Sequence, residues 1–487
     1  MLFIYDIAII GSGIIGTSIS RELSRFKLNI CLLDKNSDIG EGTTKANSAI
    51  IHAGFDASPS SLKGKLNAKG NSAFDNLSKE LDFPFKRIGA LVLALASQER
   101  TFEAEKLTKL EELKAQGIKN GVPHLEILSG AEAMKLVPSL NDSIYAALYA
   151  PSSGIVCPFE MALAMAENAN DNGVEFFFNS KVKSIIKADN IFTIKTENSE
   201  YRAKVVINAA GVYADEINNM ISEHKQAIIP RKGEYLIFDK DCGKLTDMTL
   251  FQLPTIMGKG VLITPTIHGN LIVGPNALDI SDKADTTTTS SAISYVIRKA
   301  GLTIRALPMK SVITSFAGLR AHSQGDDFII EEAKDVPGFI NVSAIESPGL
   351  SSAPAIADMV VDLARNSLDL IKKESFNPKR QGIIKFMELN KAEKQMLIKK
   401  DPSYGRVICR CETVTEGEIL ASIRRPLGAR TIDGVKRRTR AGMGRCQGGF
   451  CSSKILWILS KELNLLPEEV TKFGMKSFIL LGKNKKV

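Results

Sequence analysis

Tyr5-Asp6-Ile7-Ala8-Ile9-Ile10-Gly11-Ser12-Gly13-Ile14-Ile15-Gly16 is the stretch that decides the fold of this chain. An apolar run over 3–10 reads as a buried strand, and a helix is expected over 14–26. A second strand over 29–33 ends in Asp34. Strand, Gly-rich turn, helix and strand make one βαβ unit. Gly11 permits the tight turn, Gly13 lets backbone approach a pyrophosphate, and Gly16 lets helix and strand pack closely. The helix N-terminus offers free N–H groups and a positive dipole end to phosphates. Asp34 stands where a carboxylate accepts ribose hydroxyls. These residues specify a dinucleotide, and on spacing alone both FAD and NAD remain open. The position at the extreme N-terminus favours FAD.

Working outward, 487 residues imply two or three domains. Residues 99–116 read as an exposed helix rich in Glu–Lys pairs. Residues 172–211 alternate short strands and turns. They end in Lys204-Val205-Val206-Ile207-Asn208-Ala209-Ala210-Gly211. From 228 to 275 the pattern is mostly strand, as in antiparallel hairpins. A further strand is expected at 339–342 and an amphipathic helix over 354–370. Residues 371–405 are polar and Lys-rich and read as a linker. No apolar run is long enough to cross a bilayer. No basic region precedes an apolar stretch at the N-terminus, so the expected location is the cytoplasm.

The net charge of +9 is unevenly placed. From Gln381 onward there are 22 Lys and Arg against 10 Asp and Glu; the preceding residues hold 41 against 44. Few aromatics accompany the basic residues, which argues against nucleic acid. The charge is expected to offset an anionic centre or to steer an acidic protein partner. Seven cysteines do not form a disulfide pattern. Cys31, Cys157 and Cys242 stand alone and read as buried hydrophobes. Cys409 and Cys411, then Cys446 and Cys451, form a C-x-C pair and a C-x4-C pair. Four thiolates so spaced point to a metal centre, although zinc sites more often use C-x2-C pairs.

Asn47-Ser48-Ala49-Ile50-Ile51-His52-Ala53-Gly54-Phe55 resembles the flavin-contacting loop of the D-amino-acid-oxidase superfamily. Arg231-Lys232-Gly233-Glu234-Tyr235, Phe316-Ala317-Gly318-Leu319-Arg320 and Glu346-Ser347-Pro348-Gly349-Leu350 are similar to the same branch. That branch holds glycerol-3-phosphate and L-2-hydroxyglutarate dehydrogenases. The resemblance covers nearly the whole chain and implies FAD. It implies an α/β fold, with a Rossmann-like FAD-binding domain of glutathione-reductase type and an inserted α+β antiparallel-sheet substrate domain. The superfamily usually has Glu where this chain has Asp34. The implied cofactor set is Gly11, Gly13, Ile15, Gly16, Asp34, Lys35, Thr43, Asn47, Ser48, Val182, Gly211, Gly349, Leu350 and Ser351. The implied reacting set is His52 as proton acceptor, Arg320 as the principal anion clamp, Arg231 and Lys259 as lesser cations, and Tyr235 as a donor.

Cys409-Arg410-Cys411-Glu412-Thr413-Val414-Thr415 and Gly442-Met443-Gly444-Arg445-Cys446-Gln447-Gly448-Gly449-Phe450-Cys451 resemble the 2Fe-2S domain of bacterioferritin-associated ferredoxin. The wider second pair is similar to the version fused to flavin dehydrogenase subunits. Lys436, Arg437, Arg438, Arg440 and Arg445 are expected to compensate the charge of such a cluster.

The expected organisation is an FAD-binding domain from 1–84, 150–224 and 316–370, with a substrate domain from 85–149 and 225–315. A linker at 371–405, a small helical cluster-binding domain at 406–465 and a basic tail at 466–487 complete it. The expected function is oxidation of sn-glycerol 3-phosphate to dihydroxyacetone phosphate, with electrons leaving through the 2Fe-2S centre. L-2-Hydroxyglutarate or another 2-hydroxy acid is the alternative substrate; an electron-transfer subunit of a larger complex is the second alternative. The expected partners are a small anionic substrate and an acidic redox protein or second flavoprotein subunit, with peripheral membrane contact left open.

Overall fold

The structure, a computed structural model, describes residues 3–96, 100–253 and 260–482. The opening stretch forms the strand Ile4–Ile10, the helix Ile14–Leu23 and the strand Ile30–Leu33. The first strand pairs in parallel with Ile30–Leu33 on one side and Glu200–Asn208 on the other. Glu175–Phe177 and Phe339–Ser343 extend the parallel sheet at either end. Continuous apolar runs suit these strands because both faces are covered, one by helices and the other largely by the hairpin residues Ile185, Phe192 and Ile194. The helix Ile14–Leu23 packs between Pro158–Asp171 and Gly349–Ala364 over a core that includes Ile7, Ile9, Ile19, Leu23 and Ile356. Gly16 lets this helix close on the turn that precedes it: a Cβ there would lie 1.9 Å from the Gly11 carbonyl oxygen.

A second, nine-stranded and mostly antiparallel sheet carries the other half of the fold. Its longest pairing joins Ile229–Phe238 to Val312–His322 and sets Arg231 directly opposite Arg320. The described part of the chain is therefore an α/β dinucleotide fold joined to an antiparallel sheet, as expected.

The C-terminal region forms a short ribbon and three helices, Glu416–Arg424, Ile432–Thr439 and Ser452–Leu463. They enclose their own core of Ile419, Ile423, Val435, Ile455 and Leu459 together with Cys409 and Cys451.

Two helices differ from expectation. The one placed at 354–370 runs over Gly349–Ala364 and takes Pro354 into its interior. A helix also forms at Lys391–Lys400, inside the stretch read as a linker. Asn390 caps it, accepting the Glu393 N–H while the Glu393 carboxylate accepts the Asn390 N–H. The stretch before this helix lies along the body of the protein. Asn377 donates its N–H to Asn172 Oδ1 at 2.9 Å, Arg380 pairs with Glu167 at 2.6 Å, and Lys385 pairs with Glu160 at 3.2 Å.

The seam between the C-terminal domain and the dinucleotide fold is built from buried ion pairs. Both Asp38 oxygens accept from Arg438 at 2.7 Å. Arg437 reaches Asp38 at 2.6 Å and Glu41 at 2.8 Å. Arg425 makes a two-point pair with Glu167 at 2.8 and 2.7 Å. Burial pushes the Asp38 carboxyl up, but the two guanidinium groups outweigh it and hold its pKa well below the usual carboxylate range.

Candidate active site and cofactor cavity

One cavity of about 1940 Å³ runs from the Gly-rich turn to the cationic pair on the antiparallel sheet. Its inner end is made by the first βαβ unit. The helix Ile14–Leu23 starts at Gly13 with no side-chain cap, and only Thr44 Oγ1, at 3.3 Å, would be near a Cβ on Gly13. Gly211 has nothing within 4 Å of such a Cβ. Thr44 Oγ1 accepts the Ile14 N–H at 2.9 Å, and the open position at Gly211 together with the Gly13 backbone at the start of the helix fits a pyrophosphate. Asp34 lines the same end and braces it: Oδ2 accepts from the Ser12 N–H and hydroxyl at 2.7 Å, and Oδ1 from the Asn36 N–H at 2.7 Å. A carboxylate with three such donors keeps one acceptor site for a ribose hydroxyl.

The flavin-loop expectation concerns residues 47–55. Asn47 Nδ2 donates to the carbonyls of Thr43 and Thr44 at 3.1 and 2.9 Å, and its Oδ1 accepts from the Ala49 N–H at 2.8 Å. Thr43 donates to the Leu319 carbonyl at 2.6 Å, tying this loop to the strand that carries Arg320.

Of the expected cofactor residues, Gly11, Gly13, Ile15, Asp34, Lys35, Thr43, Asn47, Ser48, Val182, Gly211, Gly349 and Leu350 line the cavity. Gly16 and Ser351 stand behind it. Ser351 Oγ accepts the His52 N–H at 2.7 Å and so positions that residue.

At the outer end His52, Tyr235, Arg231 and Arg320 line the cavity together. His52 Nε2 lies 3.4 Å from Ser347 Oγ. Tyr235 stacks on Phe316 at 4.7 Å and accepts from Ser48 Oγ at 3.5 Å. The two arginines differ. Arg231 commits its fork to Asp279 at 2.6 and 3.0 Å. Arg320 donates to the neutral carbonyl of Asn276 at 2.8 Å and has no carboxylate partner among the described residues. It is the cation of the pair left to meet an anion. Lys259 lies outside the described residues.

Lys63 was not foreseen. Its Nζ pairs with Glu346 at 2.9 Å and Asp326 at 3.0 Å, and His322 Nδ1 meets the same Glu346 oxygen at 3.1 Å. Glu346 precedes Ser347, so this cluster fixes the turn whose hydroxyl reaches His52. The sequence carries no signal for a contact 283 residues apart.

The four cysteines of the C-terminal domain converge. Cys411 Sγ lies 3.6 Å from Cys446 Sγ, and the Cys409 and Cys451 thiols hydrogen-bond to each other. The Cys451 thiol and the Gly442 and Glu412 N–H groups pull the Cys409 pKa down. Gly444 lets the two loops meet, since a Cβ there would lie 2.4 Å from Cys411 Cβ. Four sulfurs in this arrangement fit an iron–sulfur cluster. The surrounding cations are engaged mainly with other groups, although Lys436 still feels Cys451 and Arg445 feels Cys411. Arg437 and Arg438 face Asp38, Arg440 pairs with Glu412 at 2.8 Å, Arg445 pairs with Asp239 at 2.5 Å, and Lys436 lines the large cavity. Much of the basic character is neutralised within the chain, by acids of the same region such as Glu412 and Glu462 and by Asp38, Glu167 and Asp239 from the rest of the fold.

Comparison with known proteins agrees with this geometry. The family model for FAD dependent oxidoreductases (DAO) matches residues 6–363, and that for the BFD-like [2Fe-2S] binding domain matches residues 407–461. A glycerol 3-phosphate dehydrogenase of Caloramator mitchellensis is 52% identical over 99% of each chain. An L-2-hydroxyglutarate dehydrogenase of Arabidopsis thaliana is 28% identical over 73% of this chain and 83% of its own. The FAD-bound L-alpha-glycerophosphate oxidase from Mycoplasma pneumoniae superposes with a TM-score of 0.73 at 33% identity, covering 78% of this chain and 99% of its own. The chain belongs to the FAD dependent oxidoreductase (DAO) family, in the branch that holds glycerol 3-phosphate dehydrogenases, and it carries a BFD-like [2Fe-2S] domain.

Proposed function

We propose that this protein oxidises sn-glycerol 3-phosphate to dihydroxyacetone phosphate. The observation that carries this reading is Arg320, a cation without a carboxylate partner among the described residues, lining one cavity with His52 and the dinucleotide end. Arg320 holds the phosphate by charge-assisted hydrogen bonds, with Arg231 as a lesser cation and Tyr235 as a donor in the same cavity; Lys259 is the further cation proposed from the sequence. His52 takes the proton of the C2 hydroxyl as the C2–H bond gives up its electron pair and the carbonyl forms. Ser351 anchors the His52 backbone N–H and Ser347 lies against the ring nitrogen Nε2 for that transfer. FAD, when bound, supplies the hydride acceptor, and the 2Fe-2S centre held by Cys409, Cys411, Cys446 and Cys451 supplies a one-electron carrier.

The division into a discontinuous FAD-binding domain, a substrate domain, a linker, a cluster domain and a basic tail follows the boundaries given above. Among the described residues no helix is long and apolar enough to cross a membrane, and we place the protein in the cytoplasm. Cys411 and Phe450 are exposed at the cluster, Phe450 to 80%, which supports an electron-accepting protein partner docking there.

Because a guanidinium takes carboxylate as readily as phosphate, L-2-hydroxyglutarate is the second reading. Anaerobic titration of the flavin spectrum separates them. Bleaching by glycerol 3-phosphate is expected. Bleaching only by L-2-hydroxyglutarate moves the assignment to the hydroxy acid. Bleaching by neither leaves an electron-transfer subunit.

A further inference from the structure

The dinucleotide end of the cavity is not enclosed by the dinucleotide fold alone. Lys436, Lys472, Phe473 and Met475, all from the C-terminal region, line the same cavity. Two sets of contacts bring them there. One is the buried Asp38–Arg438 seam. The other docks the segment around Gly474 on the loop that follows Asp34: the Ser37 hydroxyl donates to the Phe473 carbonyl at 3.3 Å, and a Cβ on Gly474 would lie 2.1 Å from Ser37 Oγ. The Asp433 N–H, donating to the Lys472 carbonyl at 2.8 Å, joins that segment to the helix Ile432–Thr439.

The position of this wall along the cavity is set by the loop it covers. Residues 34–45 run from the ribose-facing acid to the turn Thr43–Lys45, and Thr44 Oγ1 accepts the Ile14 N–H at 2.9 Å in the first turn of the phosphate-facing helix. The wall thus stands at the diphosphate end, away from His52. Three ammonium groups meet there. Lys472 is paired with Asp433 at 3.0 Å. Lys45 and Lys436 line the cavity with no salt bridge among the described residues. Lys45 opens toward the cavity yet is crowded by protein, and that crowding pushes its pKa down. The nearby acids are already committed, Asp433 to Lys472 and Glu41 to Arg437. Unpaired ammonium groups in a crowded cleft call for an anion.

We propose that the iron–sulfur domain is itself part of the FAD site: Lys436, together with Lys45, holds the pyrophosphate, while Phe473 and Met475 close the adenosine side. Cluster domain and flavin are then coupled by a shared ligand as well as by proximity. The proposal rests on FAD being the cofactor and is independent of which substrate is oxidised.

The test uses the full chain, stripped of flavin and reloaded. Binding of FAD is followed by quenching of its fluorescence at two salt concentrations. Lys436→Met and Lys45→Met should each raise the Kd for FAD about tenfold to a hundredfold, the range of a charged hydrogen bond. Each should also flatten the salt dependence of binding. Lys436→Arg should restore both, and the iron content and melting temperature of the flavin-free protein should not move. An unchanged Kd in both Met variants overturns the proposal. So does a weakened Kd that keeps the wild-type salt dependence, because the lysines would then act only on the fold. If Lys436→Met does not accumulate as folded protein, Lys436→Gln is read in the same assay.

Discussion

In the N-terminal βαβ unit, Asp34 is held by Ser12 and Asn36, neighbours within its own local motif. Four residues later in the same loop, Asp38 is held by Arg437 and Arg438 from the opposite end of the chain. The first arrangement is written in a short window, because the strand, turn and helix that need the carboxylate are adjacent to it. The second exists only once two domains have docked. The difference shows why the same residue type lines the cofactor cavity in one place and is a structural rivet in another: its partners decide, and they come from different distances along the chain.

The strongest way to break this contrast is to disable each region and ask whether the other survives. Gly13→Glu places a carboxylate in the pyrophosphate position, so the purified protein should hold no flavin while iron and sulfide remain at about two each per chain. Cys409→Ser, Cys411→Ser, Cys446→Ser and Cys451→Ser should each lose the iron and keep flavin that substrate still bleaches. Loss of iron with the flavin in Gly13→Glu would show that the regions do not fold independently, and loss of flavin with the iron in the Cys→Ser set would show that the wall on the FAD site needs the cluster.

His52→Ala sharpens the picture within the flavin-facing half. Flavin reduction measured by stopped flow should slow by about 10²–10⁴-fold, with the cluster spectrum untouched. A wild-type rate moves proton acceptance to another group.

Asp38→Ala tests the seam. Two buried guanidinium groups would lose their main partner, a cost of about 3–5 kcal/mol, read as a lower denaturation midpoint. If stability holds, the seam is wetter than its geometry implies.

Arg320→Leu should cost about 2–5 kcal/mol of substrate affinity, seen in KM, while flavin content is unchanged. Equal kinetics with all anionic substrates would leave Arg320 a structural residue.

The smallest effect is the acid response. Burial pushes Glu160 up, but His268 and Lys385 hold it down to about 2, and Asp38 is held low by its arginines. Both folded pKa values are depressed. The stabilisation is therefore complete above the ordinary carboxylate range, near pH 4.5, and is lost as pH falls toward 2. A melting temperature that rises on acidification from pH 5 to 3 would contradict the assignment.

Much of the fold was legible in the sequence where the signal was local. Gly11, Gly13, Gly16 and Asp34 lie within one supersecondary unit, and the four cysteines lie in two short loops. Arg320 and His52, expected from the motifs around them, both line the cavity. Lys63, Glu346 and His322 were not expected, since their cluster depends on three separate segments converging. The role of Arg437 and Arg438 was misread for a related reason. Their closeness in sequence to the cysteines suggested one electrostatic partner, and the folded chain supplied another. The helix Lys391–Lys400 did have a local signal, the Asn390–Glu393 capping box, hidden in a lysine-rich stretch.

The stretch between the oxidoreductase fold and the cluster domain is pinned by Asn377, Arg380 and Lys385 along its course. A free coil over 371–405 would wander through roughly 30 Å, and the gap between flavin and cluster would then change from one turnover to the next. Electron hopping falls off exponentially with that gap. A strapped segment makes the separation a fixed property of the molecule, so the rate of exit is set by architecture and not by how often two tethered bodies happen to meet.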